Sequence, residues 1–119
     1  MKVLVTGATG FIGDYVIKEL LKQDIEVIAT SSNIRKATTK SWFNLVRYIE
    51  YKIAEKDSDN LFKFFEKPDK IIHLAWQGLP NYRKLFHIED NLPRDYHFLK
   101  NLAINGLKDF TVTGTCFEY

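Results

Sequence analysis

Met1-Lys2-Val3-Leu4-Val5-Thr6-Gly7-Ala8-Thr9-Gly10-Phe11-Ile12-Gly13 opens the chain, and its reading decides the fold. Val3 to Val5 reads as a short buried parallel strand that runs into glycines at 7, 10 and 13 and then into a helical pattern. Strand, glycine turn and helix together present helix N–H groups and a positive dipole end to a phosphate. Gly7 allows the tight turn, Gly10 lets the backbone approach a pyrophosphate, and Gly13 lets the helix pack closely on the strand. The spacing is G-x-x-G-x-x-G, a turn one residue longer than G-x-G-x-x-G.

Beyond Gly13 the spacing predicts a helix with Ile12, Val16, Leu20 and Ile17, Leu21 toward the sheet, and Lys18 and Lys22 in water. Ile25–Thr30 is the second strand, Ser31–Ser41 a polar, basic loop or short helix, and Leu45–Tyr51 the third strand. Ser58 and Asp59 start a helix whose buried face is Leu61, Phe62, Phe64 and Phe65, and Pro68 stops it. Lys70–Ala75 is the fourth strand, and a long helical region over 82–105 ends on Asn105-Gly106. Pro93 should kink that helix or open a turn. Phe110–Thr113 is the fifth strand. Alternating strands and helices predict a doubly wound α/β sheet, mostly parallel, in the order 3-2-1-4-5.

The 119 residues make room for one domain, and 45% hydrophobic residues suits a packed fold. A net charge of +2, with cations scattered among acids, gives no nucleic-acid footprint. No apolar run approaches a membrane span, and a single lysine followed by glycines does not read as a signal peptide. The one cysteine, Cys116, excludes an internal disulfide and suits a reducing cytoplasm.

Thr6-Gly7-Ala8-Thr9-Gly10-Phe11-Ile12-Gly13 resembles the nucleotide-binding turn of the short-chain dehydrogenase/reductase superfamily, especially its extended branch of sugar-nucleotide epimerases, dehydratases and reductases. The resemblance implies a Rossmann-like domain over 1–119 with cofactor contacts from Gly7, Thr9, Gly10, Phe11, Ile12 and Gly13. At the end of the second strand, a site for NAD usually carries an acid on the ribose 2′-OH. This chain has Ser31 and Ser32, with Arg35 and Lys36 beyond. Hydroxyls and an arginine suit a 2′-phosphate, so the expected cofactor is NADP(H), with NAD(H) as the alternative. His73-Leu74-Ala75-Trp76 is similar to the family's segment ending the fourth strand, whose backbone (Leu74, Ala75, Trp76 here) lines the ribose and nicotinamide side. His73 itself reads as a half-buried strand residue without a chemical role. Asn91-Leu92 resembles the asparagine-aliphatic pair of the fourth helix, although Pro93 and Arg94 then depart from the pattern. The family's Asp-[LI] pair after the third strand, whose acid bonds the adenine amine, is here Lys52-Ile53. Ile53 keeps the aliphatic contact and the acid is lost.

Thr113–Tyr119 resembles the S-S-x-x-V-Y segment, which places Thr115 at the hydroxyl that holds the sugar oxygen gaining or losing hydride. The family's acid–base pair is Tyr-x-x-x-Lys. Tyr48/Lys52 and Tyr96/Lys100 match the letters. The first lies on a strand, where residues four apart do not meet, and the second precedes the Thr115 strand. The resemblance therefore implies the front part of an enzyme acting on nucleotide-activated sugars, with the substrate-binding part absent. A 4-keto-6-deoxyhexose reductase is the expected activity of the whole, and the 119 residues alone should not turn over. A cofactor-binding sensor without catalysis is the alternative. An exposed fifth strand and the apolar side of the long helix (Leu92, Leu99, Leu102) predict a homodimer or larger assembly.

Overall fold

The computed structural model describes residues 1–53, 60–74 and 92–112. Five strands form one sheet in the order β3-β2-β1-β4-β5: β1 Lys2–Thr6, β2 Glu26–Ser31, β3 Arg47–Glu50, β4 Lys70–His73 and β5 Asp109–Val112. Every neighbouring pair is parallel, and the predicted order stands. Between the strands lie α1 Phe11–Lys22, α2 Ile34–Ala37, α3 Leu61–Phe64 and α4 Leu92–Ile104, with a 3-10 turn at Phe43–Leu45.

Strand periodicity sorts the core into two sides. Leu4, Ile28 and Ile71 point to one face and pack with Leu61, Phe65, Phe98 and Leu102 of α3 and α4 and the residue after α3. Val3, Val5, Val27 and Ala29 point to the other, with Ile17 of α1 and Trp42. Trp42 is buried in the link between β2 and β3, and its indole N–H donates to Asp14 Oδ1 at 2.9 Å. Lys18 Nζ lies 2.9 Å from Asp14 Oδ2. The Lys18 contact, opposed by burial and reinforced by the Trp42 bond, holds the Asp14 carboxyl below its ordinary value. That link is therefore clamped to α1.

Several expectations shift. Helix α1 begins at Phe11, so Ile12 lies in its first turn and is 54% exposed rather than turned to the sheet. Phe64 is exposed at the end of α3. The helix stops there, ahead of Pro68, because Glu66 and Lys67 take left-handed φ values of 63° and 55°. Asn60 caps α3 by accepting from Lys63 N at 2.9 Å; Ser58 and Asp59 lie outside the described residues. Pro93 is the second described residue of α4, and positions 82–91 of the expected helical region lie outside the described residues. Gly106, at φ +130°, follows the helix end as expected.

Gly7 turns the chain at φ +65°. A methyl group built on Gly13 would stand 2.4 Å from the Gly7 carbonyl oxygen and 2.8 Å from that of Ala8. On Gly10 it would meet only the Gly7 oxygen, at 3.4 Å. Gly13→Ala should therefore cost about 2 kcal/mol or more, because backbone must move. Gly10→Ala should change stability by less than about 1 kcal/mol. Urea denaturation of both variants checks the contrast.

Candidate functional site

The glycine turn opens at the carboxyl end of β1, between β2 on one side and β4 on the other. This is where the connections change direction and where ligands bind in such sheets. Gly10 is the N-cap of α1, and no side chain caps the helix. Its N-terminal amides thus face the turn without a side-chain acceptor, the arrangement that suits an anion.

A cleft runs from this turn across the strand ends. Thr6, Gly7 and Thr9 form its base, and Thr30, Ser31 and Ser32 follow from the end of β2. Tyr51, Lys52 and Ile53 come from the residues after β3, and Arg94 and Asp95 from the start of α4. In-register pairing puts Thr30, Thr6 and His73 side by side on β2, β1 and β4. They lie two residues beyond Ile28, Leu4 and Ile71, so the same face of the sheet changes from apolar core to polar floor.

His73 is 2% exposed, where a half-buried residue was expected. Its Nδ1 is 2.8 Å from Thr6 Oγ1, and Leu74 N donates to the same oxygen at 3.0 Å. Its Nε2 lies 3.5 Å from Asp95 Oδ1, and its ring stacks on Phe98 with centroids 5.4 Å apart. Two buried polar atoms of the cleft residues, Thr30 Oγ1 and Asp95 Oδ2, have no hydrogen-bond partner among the described residues. Buried polar atoms are rarely left so, and a ligand bearing hydroxyl or amine donors fits them.

The turn after β2 is more constrained than its letters suggest. Tyr48 OH is 2.6 Å from Ser31 Oγ and donates to Ser31 O at 3.3 Å. Glu50 accepts from Ile34 N at 2.8 Å. The Ser31 hydroxyl is thus engaged within the protein, and a carboxylate stands in the turn where the sequence displays serines and cations. Ser32 lines the cleft, whereas Arg35 is exposed on α2 outside that lining. Phe11 and Ile12 are exposed beside the turn. Ile53 lines the cleft and Leu74 is half-buried. Ala75, Trp76, Asn91 and Thr115 lie outside the described residues. Lys100 Nζ sits 5.7 Å over the centroid of the Tyr96 ring, on its face, and neither residue lines the cleft.

Residues 3–119 match the family model described as the NAD dependent epimerase/dehydratase family. The chain belongs to this family. A dTDP-6-deoxy-L-talose 4-dehydrogenase (NAD(+)) of Aggregatibacter actinomycetemcomitans is 31% identical over 99% of this chain and 43% of its own length. UDP-glucose 4-epimerase of Thermotoga maritima, solved with UDP-glucose, superposes with a TM-score of 0.67 at 25% identity, over 97% of this chain and 38% of that one. Gre2 of Candida albicans, solved with NADPH, gives a TM-score of 0.76 at 23% identity over 97% and 37% of the two chains. The chain thus spans less than half the length of each of these proteins. The first of these is named for NAD(+), and Gre2 was solved with NADPH. Among the described residues, no helix is long and apolar enough to cross a membrane, and no group of His, Cys, Asp and Glu could hold a metal ion.

Sequence reasoning missed Asp95, Thr30 and Glu50. Thr30 directly precedes Ser31, but nothing local marks Asp95, whose place depends on α4 crossing over β4. Burial, then the nearby Glu50 charge, push the Tyr48 phenol above its ordinary value against the Ser31 bonds. Folding then favours the protonated phenol. Its contribution is complete below the unfolded tyrosine value, about 10, and is lost as pH rises through the higher folded value. Denaturation of wild type and Tyr48→Phe across pH 9–12 should show a steeper alkaline loss in the wild type.

Proposed function

We propose that these residues form the cofactor-binding part of an NAD(P)-dependent enzyme acting on a nucleotide-activated sugar. The observation that carries this reading is Gly10. Within the protein, a side chain there meets only ordinary contact, so the glycine leaves room for something outside the chain. An uncapped helix end beside it suits a pyrophosphate, and the orphan oxygens of Thr30 and Asp95 suit ribose and adenine donors.

A bound nicotinamide dinucleotide supplies hydride transfer. The chain's own residues hold it: Gly7 shapes the turn, the α1 amides receive the pyrophosphate, and Thr9, Phe11 and Ile12 flank it. Ile53 and Leu74 line the strand ends, joined by Ala75, Trp76 and Asn91 through the family resemblance. By the same resemblance, Thr115 fixes the reacting sugar oxygen. Neither Tyr48/Lys52 nor Tyr96/Lys100 serves as the acid–base pair, so the 119 residues bind cofactor without turnover. The whole enzyme is a 4-keto-6-deoxyhexose reductase, cytoplasmic and at least dimeric. The similarity to a dehydrogenase named for position 4 of a dTDP-6-deoxyhexose supports that choice of carbon, since oxidation and reduction there are one reaction in opposite directions.

NADP(H) is the preferred form in this reading. Ser32 and Lys52 share the cleft wall, and Arg35 and Lys36 lie on the adjoining α2. Glu50 opposes them through repulsion of a 2′-phosphate. Fluorescence titration with NADPH and NADH is expected to give tighter NADPH binding, by about threefold to tenfold. Arg35→Ala should reduce that ratio and Glu50→Gln should raise it. Gly10→Ala should weaken both cofactors about tenfold or more while stability changes by less than about 1 kcal/mol. Tighter NADH binding would overturn the cofactor preference, and no binding of either by a folded chain would overturn the proposed function.

A further inference from the structure

We infer that Asp95 is a ligand-binding residue whose free carboxylate oxygen accepts a hydrogen bond from an N–H or O–H of the adenosine half of the bound dinucleotide. This rests on the dinucleotide-binding reading above.

Asp95 lies in the first turns of α4, is 9% exposed and lines the cleft. Its two oxygens have different surroundings. Oδ1 faces His73 Nε2 at 3.5 Å. Oδ2 is buried with no hydrogen-bond partner among the described residues. An ionised carboxylate can only accept, and a covered, unmatched acceptor is strongly unfavourable until a donor reaches it. The missing group must therefore bring N–H or O–H rather than another oxygen lone pair or a phosphate.

The neighbours locate that donor. Asp95 shares the cleft with Tyr51 and Ile53 beyond β3 and with Thr30 at the end of β2. The glycine turn, where a pyrophosphate would bind, is at β1. The half of a dinucleotide that extends from that turn over β2 and β3 is the adenosine half. Its donors are the ribose hydroxyls and the exocyclic amine of adenine. Leu74 N, Thr6 Oγ1, His73 and Asp95 form one chain of contacts, and Phe98 stacks on the histidine from the same helix as Asp95. His73 is thus a positioning residue that fixes which carboxylate oxygen is presented.

The test is a calorimetric binding cycle on the 119-residue chain and Asp95→Asn. The ligands are NADH, its hypoxanthine analogue (amine replaced by carbonyl) and an analogue lacking one adenosine-ribose hydroxyl. Circular dichroism monitors the fold. Asp95→Asn should weaken NADH about tenfold or more. That loss should vanish for whichever analogue has lost the relevant donor. A vanished effect on the hypoxanthine analogue assigns the amine, and on the deoxy analogue the hydroxyl. If the substitution changes nothing, or weakens all three ligands by the same factor, the inference is overturned while NADH binding by wild type keeps the dinucleotide reading. No binding of any ligand by folded wild type would overturn both. Should Asp95→Asn fail to fold, Asp95→Ser enters the same cycle; if that also fails, wild type binding both analogues as tightly as NADH overturns the inference.

Discussion

Helix α1 can lie where it does only because residue 13 has no side chain. The carbonyl oxygens of Gly7 and Ala8 occupy the space that a Cβ would need. This contact fixes the distance between the helix and the exit of β1, and so fixes where the first helical amides point. Since β1 is the central strand, with β2 and β4 bonded to its two sides, those amides emerge over the middle of the sheet. Gly7 closes the turn through its carbonyl, which accepts from Gly10 N at 3.1 Å, and Ala8 N donates to Thr30 O at 3.2 Å. The turn is thereby tied to β2 as well as β1. A small steric allowance at one residue sets the geometry of the whole cleft.

Core and site are continuous. Along β2, β1 and β4 the residues facing α4 run from Ile28, Leu4 and Ile71 to Thr30, Thr6 and His73. One step of the strand's alternation converts a packed apolar row into a polar one. The lower row anchors α3 and α4 through Phe65, Phe98 and Leu102. The upper row meets Asp95 from the same helix. Loosening the core beneath α4 would therefore also displace the carboxylate above it, coupling stability to binding in this part of the fold.

The glycine spacing and the apolar strands were legible because they answer to local rules. A left-handed turn needs glycine, a helix–strand contact needs glycine, and buried parallel strands read as short apolar runs. Strand order followed from the alternation of elements. Most of what escaped depended on partners distant in sequence. Ile12 fits a helical stripe, but the helix starts early enough to expose it. His73 looked inert until Thr6 and Asp95 closed on it from β1 and α4. The serine and basic letters after β2 suggested a phosphate site, yet Tyr48 and Glu50 of the neighbouring strand already engage that turn. At His73 and after β2 the miss is a tertiary contact that no window of sequence contains.

The central claim is that the uncapped start of α1, beside Gly10, receives a pyrophosphate. Amide chemical-shift mapping by NMR, with ADP added to the labelled chain, tests it most directly. The account predicts that the largest shifts fall on Gly7 through Gly13, with smaller ones on Thr30 through Ser32. Saturating shifts confined to other parts of the chain, with the glycine turn unmoved, would contradict it.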